Sequence, residues 1–194
     1  EVEDVISAFH QLQKLHQEYR ETGPVAKELR DEIWKRFKDA STVVNKRHQD
    51  HFEAIKAQEE ENLQKKTELC QKVEALAFDE LKTYAQWEDM TKQVLAMQAE
   101  WKTIGFTPRK VNNEIFERFR TACDRFFQAK TAYFKANREK LNANLTAKNA
   151  LIEKAEALKD STDWGATTNK LVELQKEWKT IGPVAHKVSD AVWK

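Results

Sequence analysis

A short string that recurs three times constrains this chain more than any other feature. It reads Glu18-Tyr19-Arg20-Glu21-Thr22-Gly23-Pro24, then Glu100-Trp101-Lys102-Thr103-Ile104-Gly105-Phe106, then Glu177-Trp178-Lys179-Thr180-Ile181-Gly182-Pro183. The glycines stand 82 and 77 residues apart. The flanks repeat too: Glu32-Ile33-Trp34-Lys35-Arg36-Phe37 matches Glu114-Ile115-Phe116-Glu117-Arg118-Phe119, and Glu74-Ala75-Leu76 matches Glu156-Ala157-Leu158. Trp87 matches Trp164 at the shorter shift, so five extra residues lie between Leu76 and Trp87. Such an insertion reads as a tolerant loop or helix end. Repetition on this scale is the mark of a tandem architecture, in which each unit buries its apolar face with its neighbours' help.

The punctuation between copies is sharp. Six of the seven Gly and Pro residues sit at the three turns: Gly23, Pro24, Gly105, Pro108, Gly182 and Pro183; only Gly165 lies elsewhere. Each turn glycine is expected at the left-handed residue that ends a helix, with Pro soon afterwards at the start of the next. Between turns the apolar residues keep helical spacing. Trp87, Val94, Met97, Trp101 and Ile104 in one copy, and Trp164, Leu171, Leu174, Trp178 and Ile181 in the next, each hold one face apolar. Val5, Leu12, Leu15 and Tyr19 do the same in the first copy. No Gly or Pro interrupts Lys27–Ala77 or Arg109–Leu158, so two long helices are expected, each followed by a short one of about eighteen residues.

Short helices that double back on long ones fold most simply as bundles. The expected fold is all-α: elongated tandem antiparallel three-helix bundles, joined by long helices shared between neighbours, like spectrin in architecture only. The expected divisions are 1–52, the tail of a preceding bundle; 53–134, a complete bundle with its helices between about 59 and 130; and 135–194, a truncated bundle. Gly23, Gly105 and Gly182 are the expected turn residues, and Trp101, Phe119, Phe126 and Trp178 the expected core anchors. The chain opens on Glu1 without Met and stops at Trp193-Lys194 partway through a pattern, so a fragment of a longer protein is expected.

Charge and chemistry narrow the function. Thirty-three Lys and Arg balance 32 Asp and Glu, which favours neither nucleic acid nor an acidic surface as partner. Cys70 and Cys123 are isolated and show no metal-binding spacing, as suits a reducing compartment. No secretory, transmembrane or lipidation signal is visible. Gly-rich phosphate loops and the common hydrolase motifs are absent, and no cofactor or catalytic set is nominated. His48 and His51, one helical turn apart, form the only candidate metal pair. Their counterparts 82 residues on are Lys130 and Tyr133, which favours a polar helix surface instead.

A basic stretch supplies the alternative. Between Arg109 and Lys140 nine Lys and Arg face four Asp and Glu, interleaved with Phe116, Phe119, Phe126, Phe127, Tyr133 and Phe134. Arg109, Lys110, Arg118, Arg120 and Arg125 are the candidate nucleic-acid contacts, gripping phosphates while aromatics stack on bases. Against this, the aromatics recur at core spacing. Residues 59–90, the expected neighbouring helix, carry nine acidic residues against four basic ones, so the two stretches also suit each other.

The string Trp101-Lys102-Thr103-Ile104-Gly105, followed by Pro108-Arg109-Lys110, Ile115-Phe116, Arg118-Phe119 and Ala122-Cys123-Asp124-Arg125-Phe126-Phe127, resembles the bacterial family called domain of unknown function 349. The second copy matches best. The first has Tyr19 for Trp and Val44-Asn45 for the Phe pair, and the third stops after Trp193. The resemblance implies a bacterial, cytoplasmic protein of tandem helical repeats, and it brings no activity or ligand. The expected function is therefore a non-enzymatic scaffold that binds protein partners and does not enter a membrane, with its oligomeric state left open.

Overall fold

The computed structural model describes residues 2–193, and the side chains of residues 4–193. Glu1 and Lys194, which end the first and third expected divisions, lie outside the described residues. The chain is all-helical, with no strand among the described residues. Six helices follow in order among the described residues: α1 (Val2–Glu21), α2 (Lys27–Glu74), α3 (Tyr84–Thr103), α4 (Asn112–Glu156), α5 (Trp164–Thr180) and α6 (His186–Trp193).

The two uninterrupted runs become the two long helices, of 48 and 45 residues. The short helices have built starts. Before α3, Gln86 Oε1 accepts from the backbone N–H groups of Lys82 and Thr83, while the Thr83 hydroxyl accepts from the Gln86 N–H. That reciprocal box satisfies donors a helix start would otherwise leave open. At α5 a simpler cap serves: Asp163 accepts from the Ala166 N–H at 3.2 Å.

Two compact units emerge: residues 1–76 with 89–122, and residues 77–88 with 123–194. In unit 1, α1 folds back antiparallel on the first half of α2. Phe9 stacks on His48, and Tyr19 stacks on Phe37 with ring centroids 4.4 Å apart. Farther along α2, Leu69, Cys70 and Val73 are buried together with Val94 of α3 and Ile115 and Phe119 of α4. In unit 2, Phe126 of α4 is fully buried and packs edge-on against Phe78 and beside Trp87.

The five extra residues before Trp87 fall in the connection between α2 and α3, as the reading of a loop or helix end expects. That connection also contributes to the core: it contains a 3-10 turn over Phe78–Glu80 whose Phe78 is buried, with the Arg125 guanidinium 5.0 Å above its ring. Tyr133 then donates its hydroxyl proton to the Lys82 carbonyl, which fixes the end of the same segment. One sequence expectation is corrected here, that of Trp164, read as part of an apolar stripe. It is 80% exposed, whereas its counterpart Trp87 is 3% exposed. Trp87 lies beneath Phe126, Tyr133 and Phe134 of α4, and no described aromatic ring plays that part for Trp164.

Candidate functional site: a turn clamp built twice

The three turn glycines have two different physical causes. Gly23 alone has a left-handed backbone, with φ of 81°, and a Cβ there would meet open space. The left-handed reading is therefore correct for Gly23 and wrong for the other two. A Cβ on Gly105 would sit 2.9 Å from Nδ2 of Asn62, and one on Gly182 would sit 2.8 Å from Nδ2 of Asn144. Close approach, not backbone conformation, explains glycine at both positions.

The geometry that forces this approach is repeated. On α2, Asn62 and Lys66 lie one helical turn apart and face the end of α3. The Asn62 amide donates to the Phe106 carbonyl at 2.8 Å, just past Gly105, and its oxygen accepts from Gln58 at 3.3 Å. Lys66 places its ammonium 5.0 Å from the centre of the Trp101 ring. That ring stacks in turn on Phe119, with centroids 4.2 Å apart and planes 12° from parallel. In unit 2, Asn144 of α4 donates to the Pro183 carbonyl at 2.7 Å, and Lys148 sits 4.6 Å from the Trp178 ring centre. Asn62 and Lys66 match Asn144 and Lys148 at the same 82-residue shift as the rest of the long helices.

Lys66 is only 8% exposed, and burial lowers its pKa from the usual 10.5. The indole face offsets part of that cost, because a ring quadrupole attracts a desolvated cation. An amide, an ammonium and an indole together hold a helix end and its following turn in place. Gly105→Ala should destabilise the chain by about 1–3 kcal/mol, since the new methyl displaces the buried Asn62 amide from the Phe106 carbonyl. In an Asn62→Ala background the same substitution should cost clearly less, and a double-mutant cycle by urea unfolding measures the difference. Equal costs in both backgrounds would show that the amide is not what excludes a side chain at residue 105.

The five candidate nucleic-acid cations are divided between the two units. Arg109, Lys110, Arg118 and Arg120 belong to unit 1 and Arg125 to unit 2. Arg118 donates through Nε and Nη2 to both oxygens of Glu74, each at 2.7 Å. That bidentate pairing holds its guanidinium further into the charged range. Arg120 lies 3.9 Å from Glu117, and Arg125 covers Phe78. Arg118 and Arg120 also point away from each other, roughly 200° apart around α4. Of the interleaved aromatics, Phe119 and Phe126 are buried, Phe127, Tyr133 and Phe134 are half-buried, and Phe116 is exposed.

The histidine pair is engaged with rings. His48 lies flat on Phe9, with centroids 3.8 Å apart, and His51 meets Phe52 edge-on. Among the described residues no group of three or more His, Cys, Asp or Glu converges as a metal site would require. None of the described helices is long and apolar enough to cross a membrane.

Asn62, Lys66, Asn144 and Lys148 are the clamp residues that the sequence alone does not mark. The 82-residue shift is their signal, and it is faint because Asn and Lys on a helix ordinarily mean solvent.

Comparison with known proteins agrees with the repeat. The family model described as Domain of Unknown Function (DUF349) matches residues 32–110 and again residues 114–187. Each match begins near the start of a long helix and runs through the next short helix to its turn, so each contains one complete clamp. No curated protein and no solved structure matches the chain significantly. With two consecutive matches in register with its own internal period, the chain belongs to the DUF349 family.

Proposed function

We propose that this chain is a non-catalytic scaffold of the bacterial cytoplasm. In this reading it consists of tandem antiparallel three-helix bundles that share their long helices, and it presents helix faces to protein partners. The observation that carries the reading is the clamp. The same four residue types, Asn, Lys, Trp and Gly, fix the same turn at two places in register with the 82- and 77-residue shifts. A protein that builds one structural joint repeatedly is specifying the spacing and direction of its helices, which is what a scaffold needs. The ion pair between Glu74 and Arg118 supports it, since acidic and basic stretches of the sequence are matched to each other within unit 1.

Small-angle scattering and a binding titration test the two halves of this reading. An elongated assembly should give a radius of gyration well above the globular expectation of roughly 16 Å for a chain of this length. A value near 16 Å would refute the extended tandem arrangement. Titration with single- and double-stranded nucleic acid at two salt concentrations should show no salt-sensitive binding. Strong binding that falls steeply with salt would replace the protein scaffold with a nucleic-acid role.

A further inference from the structure

Within unit 2, α4, α5 and α6 border a groove of about 840 Å³, lined by Ile152, Ala155, Glu156, Leu174, Trp178 and Trp193 among others. The internal repeat supplies a direct comparison for it. Ile152, Ala155 and Leu171 correspond to Cys70, Val73 and Val94, all buried in unit 1, yet none of the three is itself buried. Glu156 corresponds to Glu74, which Arg118 grips through two hydrogen bonds; Glu156 itself has no ion-pair partner among the described residues. Trp164 corresponds to Trp87, and their exposures of 80% and 3% show how differently the two are covered. In each earlier instance the covering element is α4. Its Arg118 takes the carboxylate and its Phe119 stacks on the Trp101 ring in unit 1, and its Phe126 packs beside Trp87 in unit 2.

We propose that the α4–α5 face of unit 2 is an acceptor groove for an amphipathic helix of a further repeat of this same kind. That helix carries adjacent Arg and Phe, then a small apolar residue and a second Phe four and seven positions beyond the first Phe. The stripe is that of Arg118, Phe119, Cys123 and Phe126. The Arg meets Glu156, the first Phe meets Trp178, and the second Phe covers Trp164. Apolar area supplies most of the association, and the carboxylate fixes the register. This inference rests on the tandem-repeat reading above and adds the chemistry of the partner.

A peptide spanning residues 117–135 of this chain, stapled as a helix on its exposed face, is the probe. Titrated into the 194-residue chain, it should bind saturably at one site. Arg118→Glu in the peptide should weaken binding by about fivefold or more, as should Glu156→Arg in the chain. Pairing the two reversed partners should restore affinity. Glu156 is exposed, so the reversal should leave the chain's helical circular dichroism unchanged. Absence of saturable binding, or binding indifferent to the charge reversals, would overturn the acceptor groove. Failure here with an elongated scattering profile would remove the groove and leave the scaffold; a compact profile with binding intact would do the opposite.

Discussion

Trp101→Ala is expected to destabilise unit 1 by about 3–5 kcal/mol, the range for emptying a large aromatic site in a core. The indole is half-buried, so area alone would argue for the lower end. Two further losses raise the figure. The stack on Phe119 disappears, a contact of a kind worth about 0.5–1.5 kcal/mol beyond its area. Lys66 also loses the ring face that compensates its desolvated ammonium. The second loss has its own signature, because Lys66→Met should recover part of the stability in the Trp101→Ala background by removing the buried charge. Trp178→Ala should cost less than Trp101→Ala. Its cation, Lys148, is half-buried where Lys66 is buried, and the ring beside it is the exposed Trp193 at 6.3 Å. Urea unfolding of the three variants checks this ordering. A Trp101→Ala loss below about 1 kcal/mol would mean that the repeated Trp is not an anchor.

Lys66 also gives a direction in pH. Its pKa is lowered in the folded chain, so between that value and 10.5 the unfolded chain binds more protons than the folded one. Stability from this group therefore rises as pH climbs through that interval.

The helices were legible because their signals are local. Lys27–Ala77 and Arg109–Leu158, free of Gly and Pro, became Lys27–Glu74 and Asn112–Glu156, a match within a few residues at each end. Turn chemistry was only half legible. Gly23 obeys the left-handed rule, but Gly105 and Gly182 answer to an asparagine some forty residues earlier, which no local pattern encodes. The same holds for Lys66, whose spacing along α2 says nothing about the indole it will meet. Phe78 was hidden for a different reason. It lies in the stretch where the two copies differ in length, so it had no counterpart to mark it as core. Repetition reveals what copies share and is blind to what one copy adds.

Phe126→Ala is the sharpest test of how unit 2 is held together, with an expected loss of about 3–5 kcal/mol. Phe126 has no exposed surface, and it is the largest of the fully buried side chains. It packs against two other elements at once, Phe78 of the 3-10 turn and Trp87 of α3, with Phe127 beside it on α4. Its removal leaves a cavity whose walls are aromatic rings fixed by other contacts, so little collapse is available to reduce the cost. Phe126→Leu keeps part of the volume and should cost about 1–2 kcal/mol, while Phe116→Ala, at an exposed position on the same helix, should cost less than about 1. Trp87 should report the cavity directly, through a red shift in emission as water reaches a ring that is now 3% exposed. If Phe126→Ala proved no worse than Phe116→Ala, the burial of Trp87 would need another cause, and its contrast with Trp164 could no longer be traced to the helix that covers it.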